Sequence, residues 1–363
     1  MPKTMWENNV LGFVPNKDWL DVGIDNAFVR RPNDPADLLF DDDKTDNIMA
    51  EWESIRSAYQ TPVMAQFHSF DTESQKTMRA PIDTHNIEKG LIKVKINQSE
   101  RMRALLRTGV RDSDLYRYVM DDGLRLADQV VTRTKVAKNE VLATGKMTIK
   151  ENNLDLTIDY GVPDDQLSFT LDFSADAQTD VPSQIQAIID KAVEEGVTLT
   201  GIYTSKSNIT RMRQNADIQK AINGNVSEGT LVRRQALEAY LEDEFGITQV
   251  ITNDLTYSAP YEMGADGRPV VKTERYFPKD KVTFFSTSVA GRLGTGLWGD
   301  APEADVRQFM ATGTEAPYVT ISQWTENDPA VLWTKASGLF IPVLFNPNSL
   351  FIAGVTTGED TGA

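Results

Sequence analysis

The hexapeptide Gly294-Thr295-Gly296-Leu297-Trp298-Gly299 has the G-x-G-x-x-G spacing with which dinucleotide-binding proteins bring backbone N–H groups to a pyrophosphate. That chemistry needs a strand before the glycines and a helix that begins among them, so that the helix N-terminus meets the phosphates. The apolar run KVTFFSTSVA predicts the strand, but Leu297 and Trp298 occupy the turn and Asp300-Ala301-Pro302 postpone any helix to Pro302. The remainder of the chain reads as extended runs, with no second βαβ unit. Gly294, Gly296 and Gly299 are therefore expected to form a structural bend beside a packed Trp298. A nucleotide-dependent enzyme using residues 294–299 stays as the alternative from another class of function.

Other reactive residue types are sparse. The two histidines, His68 and His85, lack a G-x-S-x-G elbow for a nucleophile and an H-E-x-x-H pair for a metal. The chain has no cysteine, which removes disulfides, thiolate ligands and thiol nucleophiles together. Asp41, Asp42, Asp43 and Asp46 lie in FDDDKTD, which lacks the spacing and terminal glutamate of a calcium loop, so a solvated acidic segment is expected. Asp164-Asp165 and Glu194-Glu195 are adjacent pairs and cannot share one helix or strand face for acid–base work. No catalytic residue, cofactor or metal ligand is predicted, and the chain does not read as an enzyme.

The length of 363 residues and 40% hydrophobic content allow a large packed core. A net charge of -16 should repel nucleic acid unless the basic residues are segregated. The basic stretches Arg30-Arg31 and Ser99 to Arg111 carry no interleaved aromatics for base stacking. No apolar run approaches the roughly 20 residues of a membrane span, and the opening MPKTMWENNVLGF does not read as a signal peptide.

Residues 1–57 read as an extended arm. Trp6, Phe13, Trp19, Phe28, Phe40 and Trp52 are widely spaced, and Pro15, Pro32 and Pro35 break any long helix. Such rings need a pocket on something else, for example another subunit. Residues 58–97 read as a projecting loop in which TPVMAQFHSF ascends and GLIKVKI descends around a polar middle. A long helix is predicted over 113–144, with apolar residues at Leu115, Val119, Leu126, Val130, Ala137 and Val141 and a stop at Gly145. At 1.5 Å per residue it spans roughly 48 Å. KMTIKE and LDLTIDY predict a hairpin around Asn152-Asn153. Helices are expected at 183–194, 205–214 and 230–245, and strands at 197–203, 248–252 and 281–286. Extended runs dominate after Ala316.

Three stretches in this order resemble the major capsid proteins of tailed bacteriophages, specifically the lambda-like capsid protein E family. They are NEVLATGKMTIKENNLDLTIDYG (Asn139 to Gly161), RYFPKDKVTFFSTSVAGRLGTGLWG (Arg275 to Gly299) and NDPAVLWTKASGLFIPVLFNPNSLFIAGV (Asn327 to Val355). The first hundred residues match the family least. The resemblance implies an α+β Hong Kong 97-like capsid fold. Its parts would be an N-terminal arm (1–57), an extended β-hairpin loop (58–97), a peripheral domain (98–179 and 312–342) built on the spine helix 113–144, and an axial domain (180–311 and 343–363).

The implied function is self-assembly into hexamers and pentamers of an icosahedral shell around double-stranded DNA. Arm residues Trp19, Phe28 and Phe40 and loop residues Phe67, Phe70, Met78 and Ile82 are the expected inter-subunit anchors. Implied partners are other copies of the chain, a small decoration protein, a separate scaffold, a portal and a maturation protease. DNA would lie nearby without specific contacts, and no membrane is involved. The location would be the virion capsid, assembled in the bacterial host cytoplasm. An encapsulin-type nanocompartment shell is the alternative within the same fold.

Overall fold

The computed structural model describes residues 33–55, 64–65, 82–100, 114–151, 154–174, 180–224, 231–259, 262–263, 269–270, 272–287, 291–303, 309–311, 318–328 and 330–357. A 3-10 turn at Pro35–Leu38, capped by the Asp34 carboxylate, leads into β1 (Phe40–Lys44). Strands β2 (Met49–Ile55) and β3 (Ile82–Glu88) pair antiparallel, and β4 (Gly90–Gln98) follows Lys89. Helix α1 (Asp114–Thr144) precedes a hairpin of β5 (Lys146–Glu151) and β6 (Leu154–Asp159). Next come β7 (Phe169–Asp172), α2 (Val181–Glu194), β8 (Gly201–Thr204), α3 (Lys206–Gln214), α4 (Ala216–Asn223), α5 (Arg234–Phe245) and β9 (Gln249–Thr252). Strands β10 (Thr256–Ser258), β11 (Glu262–Met263), β12 (Pro269–Val270) and β13 (Thr273–Arg275) make two small ribbons, β10 with β13 and β11 with β12. The chain closes with β14 (Lys281–Phe285), β15 (Gly294–Gly299), β16 (Phe309–Ala311), β17 (Val319–Asn327), β18 (Ala330–Leu344) and β19 (Leu350–Thr356).

Two sheets sandwich α1. The first has the order β1-β15-β18-β17-β16, with β4 on the other edge of β18. The second has the order β7-β19-β14-β8-β9. Leu126, Val130, Ala137 and Val141, one apolar stripe in sequence, are all buried on the helix. The small residue Gly338 of β18 lets the helix approach the first sheet: a methyl there would lie 3.2 Å from Val130 Cγ1. Alternation along β14 and β19 divides the second sheet between two cores. Val282, Phe284, Phe351 and Ala353 pack with α2 to α5, whereas Phe285, Leu350 and Ile352 join the cluster around α1. A side-chain bond crosses that junction, Thr283 Oγ1 donating to the Leu142 carbonyl at 2.6 Å.

Helix ends follow local chemistry. Asp180, Ser205 and Asn215 cap α2, α3 and α4 by accepting backbone N–H groups of the first turn. Helix α1 stops where Gly145, at φ 70°, returns its N–H to the Val141 carbonyl at 2.8 Å. The chain then turns into β5, and Tyr160 donates its hydroxyl to the Pro342 carbonyl at 2.5 Å. Pairing of β4 with β18 ends at Phe340, so Tyr160 satisfies a carbonyl that β4 leaves behind. Tyr160→Phe should cost about 1–2 kcal/mol, because it leaves a buried acceptor without its donor. Denaturant unfolding reads the loss; an unchanged midpoint would show that this bond contributes nothing net.

Several expectations are corrected. The glycine hexapeptide is not a bend but the straight strand β15, parallel to β1 and antiparallel to β18. GLIKVKI forms β4 in the first sheet, paired with β18, while the described ribbon pairs β2 with β3 and starts at Met49 inside the expected arm; TPVMAQFHSF, apart from residues 64–65, lies outside the described residues. Sheet membership also crosses the expected domain bounds: β7 lies in the second sheet and β15 and β16 in the first. Helix α4 was not expected, residues 197–200 precede rather than belong to β8, and the described residues 300–303 hold no helix.

Candidate functional site

The glycines of β15 are needed for close approach rather than for turning. A methyl on Gly294 would strike the Val343 carbonyl oxygen and lie 2.6 Å from Phe40 Cε1. One on Gly296 would strike the Asp42 carboxylate and lie 2.8 Å from Phe340 Cε2 and 3.1 Å from Lys138 Cε. One on Gly299 would lie 3.1 Å from Lys89 Nζ. The spacing therefore serves three slots into which β1 and the root of the β2–β3 ribbon fit. Among the described residues that follow the strand, 300–303, no helix begins, whereas pyrophosphate binding would require one.

Segment 34–47 is fixed through these slots by three buried polar clusters. In the first, Lys138 of α1 reaches Asp37 at 2.7 Å and Asp42 at 2.9 Å, and donates to the Phe40 carbonyl at 3.3 Å. Burial works to lower the lysine, but Asp37 and Asp42 outweigh it and hold the ammonium above the usual lysine range. In the second, Lys89 donates to the carbonyls of Thr45 (3.0 Å), Asn47 (2.6 Å) and Trp298 (3.0 Å) and to Thr45 Oγ1 (2.5 Å). Burial pulls Lys89 below the usual range, with Asp300 and Asp46 opposing it.

The third cluster joins four parts of the chain around Asp34. Its Oδ1 accepts from Ala36 N–H (2.9 Å) and Asn253 Nδ2 (3.0 Å), and its Oδ2 accepts from Asn139 Nδ2 (3.0 Å). The Tyr203 hydroxyl donates to Asn139 Oδ1 at 2.8 Å, and Asn253 Nδ2 reaches both. Burial pushes the Asp34 carboxyl up to about 6.

Sequence reasoning missed these residues. Neither Lys138 nor Asn139 falls within the apolar stripe of α1: Lys138 stands at its edge and Asn139 on the opposite face, so both are buried only because sheets pack on two sides of the helix. FDDDKTD keeps the solvent-exposed carboxylates expected of it, at Asp41, Asp42, Asp43 and Asp46, but it is ordered by pairing. It forms β1, with Asp42 on Lys138 and Asp41 ion-paired to Arg292. His85 stacks on Trp52, its ladder partner midway along the ribbon, with ring centroids 5.0 Å apart. Among the described residues no group of three or more histidine, aspartate or glutamate side chains is placed to hold a metal.

The expected anchors fare unequally. Phe40 is fully buried in its own chain's core against Gly294, so it offers nothing to a neighbour. Ile82 begins β3. Trp19, Phe28, Phe67, Phe70 and Met78, with His68, lie outside the described residues. The described surface shows other apolar groups. Leu154 and Leu156, at the outer end of the β5–β6 hairpin, are 52% and 39% exposed, although their row continues the buried Ile158. Trp324 stacks on Trp333, and Lys95 lies 4.5 Å over the Trp333 ring.

The comparisons with known proteins agree with this architecture. The family model described as phage major capsid protein E matches residues 36–355. A protein of Escherichia coli CFT073, described as a prophage capsid protein, superposes with a TM-score of 0.53 at 12% identity, covering 94% of this chain and 99% of its own. A phage-related protein of Bordetella bronchiseptica RB50 gives 0.51 at 8% identity, covering 93% and 95%. No curated protein matches in sequence. The fold is the Hong Kong 97-like capsid fold. The chain belongs to the phage major capsid protein E family, and its role is that of a capsid shell protein.

Proposed function

We propose that copies of this chain close into hexamers and pentamers of an icosahedral shell around double-stranded DNA. Residues 1–32 and 56–81 reach from each copy onto its neighbours. The observation that carries this is the β2–β3 ribbon, a two-stranded sheet that pairs with no other strand among the described residues. Ala50, Trp52 and Ile87 seat the base of the ribbon on the subunit's own core, and because two strands alone are marginal in water its continuation needs a further surface to lie on. Its strands lead into residues 56–81, which carry Phe67, Phe70 and Met78. These, with Trp19 and Phe28, remain the proposed anchors, and the exposed Leu154, Leu156 and Trp324 are further contact points. Many weak contacts of this kind add across a closed shell while each stays reversible.

Segment 34–55, β3 to β6 and α1, with β15 to β18, supply the peripheral part of each subunit. The second sheet with α2 to α5 supplies the part that clusters about capsomer axes. The chain works without a cofactor or catalytic group. A decoration protein, a separate scaffold, a portal and a protease act with it, and assembly proceeds in the host cytoplasm. The net charge of -16 suits a wall that must not trap packaged DNA.

Deleting 56–81 with a short linker, and separately deleting 1–32, tests this reading. Each variant should keep the circular dichroism spectrum of the parent subunit and lose particle formation by negative-stain microscopy. Particles of normal size and yield from both variants would remove the basis for the proposal.

A further inference from the structure

Strand β4 stands at an edge of the first sheet: β18 pairs with one side of it, and among the described residues no strand pairs with the other. Its side chains form two rows. Ile92, Val94 and Ile96 make the row over α1, opposite Gly338, Ala336 and Thr334 of β18. Those partners are buried, whereas Ile92 and Val94 are half-buried and Ile96 is 36% exposed. An apolar row closed on one flank and open on the other leaves room for a further strand.

The second row carries Leu91, Lys93, Lys95 and Asn97. Lys93 lies 3.6 Å from Glu303, which Lys335 also holds, and Lys95 rests over the Trp333 ring. One carboxylate therefore serves two lysines, and this row keeps an excess of positive charge. Lysines on an open edge guard against pairing with an edge of the same kind, because two β4 strands side by side would set like charges together. They do not guard against a strand whose alternate row is acidic. Residues 20–25 have that pattern in sequence: Leu20, Val22 and Ile24 alternate with Asp21, Gly23 and Asp25. The loop stretch TPVMAQFHSF has no acidic residue, and its Met64 is 85% exposed.

We infer that residues 20–25 of one copy add as a strand to the open edge of β4 in a neighbouring copy. Leu20, Val22 and Ile24 extend the row over α1, and Asp21 and Asp25 lie along the row of Lys93 and Lys95. The inference rests on the proposed reach of residues 1–32 onto neighbours and names where that reach ends. The point of departure favours a neighbour. Residue 33 continues through Asp34 into β1, at the opposite edge of the first sheet, with β15 and β18 between it and β4. Residues 26–32 add roughly 23 Å of extended chain. Each copy gives one strand and accepts one, so the contact is head-to-tail and can close a ring.

Particle yield of the full-length chain, scored by sedimentation and negative-stain microscopy, measures it. Lys93→Glu/Lys95→Glu should lower the yield about tenfold by opposing like charges across the strands. Adding Asp21→Lys/Asp25→Lys to the same chain should restore most of it. An unchanged yield on reversal, or no recovery in the combined variant, would overturn the pairing. With the parent chain in the same series, parent particles and no response to reversal remove this contact alone. A parent that forms no particles removes the shell reading and the contact with it. Should the reversed chain fail to fold, introduced cysteines decide, since the chain has none of its own. Asp21→Cys or Asp25→Cys combined with Lys93→Cys or Lys95→Cys should give, in one combination, oxidised particles that run as a ladder of linked chains, with each single-cysteine variant unlinked. A disulfide closed within single chains, or none in any combination, would overturn the inference.

Discussion

Gly294→Val is expected to destabilise the subunit by about 3–5 kcal/mol, among the largest effects of any single substitution in this chain. The clash is with the Val343 carbonyl, part of the paired strand β18, and with the buried Phe40 ring; neither can swing aside. Relief would require β1 or β18 to leave β15, which breaks the ladder on one side. Gly291→Ala provides the contrast. Gly291 has φ 71° and open space around it, so alanine there incurs only backbone strain, about 1 kcal/mol. Guanidinium unfolding of both variants separates the cases. Equal midpoints would mean that the glycines of β15 serve conformation rather than approach.

Lys138→Met should cost about 2–3 kcal/mol. Removing one partner of a fully buried ion pair typically costs about 3–5 kcal/mol. Here Asp37 and Asp42 are 33% and 38% exposed, so water screens part of the repulsion left behind. Adding Asp37→Asn and Asp42→Asn should recover most of the loss, since the methionine stem then fills an uncharged slot beside Gly296. In the parent chain the lysine's folded-state value is raised. Its contribution is therefore complete at neutral pH and disappears only as pH rises beyond the usual lysine range. Stability of the parent, Lys138→Met, the Asp37→Asn/Asp42→Asn double variant and the triple variant at pH 7 checks the cycle; a triple variant no better than Lys138→Met would show that the stem, not the charge balance, matters.

The elements that were legible in the sequence are those whose apolar residues repeat locally. Helix α1 was expected at 113–144 and spans Asp114–Thr144, because its stripe at 126, 130, 137 and 141 is visible within one stretch. The β5–β6 hairpin and helices α2, α3 and α5 were visible for the same reason. The strand β15 was not. Three glycines in six residues lower strand propensity, and what makes them favourable lies at Phe40, Asp42 and Val343, far away along the chain. GLIKVKI showed its alternation plainly, but alternation does not name the partner, and the partner seen, β18, lies far along the chain. The polar clusters at Lys138, Lys89 and Asp34 were hidden likewise: a lone lysine or aspartate reads as surface until its distant partners are known.

The parallel pairing of Phe40 with Gly294 sets a timetable for synthesis. About 250 residues must leave the ribosome between the two strands, roughly 13–50 s at ordinary elongation rates of about 5–20 residues per second. Until β15 emerges, β1 has no ladder. A nascent chain therefore cannot present a finished first sheet to its siblings on the same message. A product truncated before Gly294 would lack both β15 and β18, and is expected to leave β1 without a partner strand.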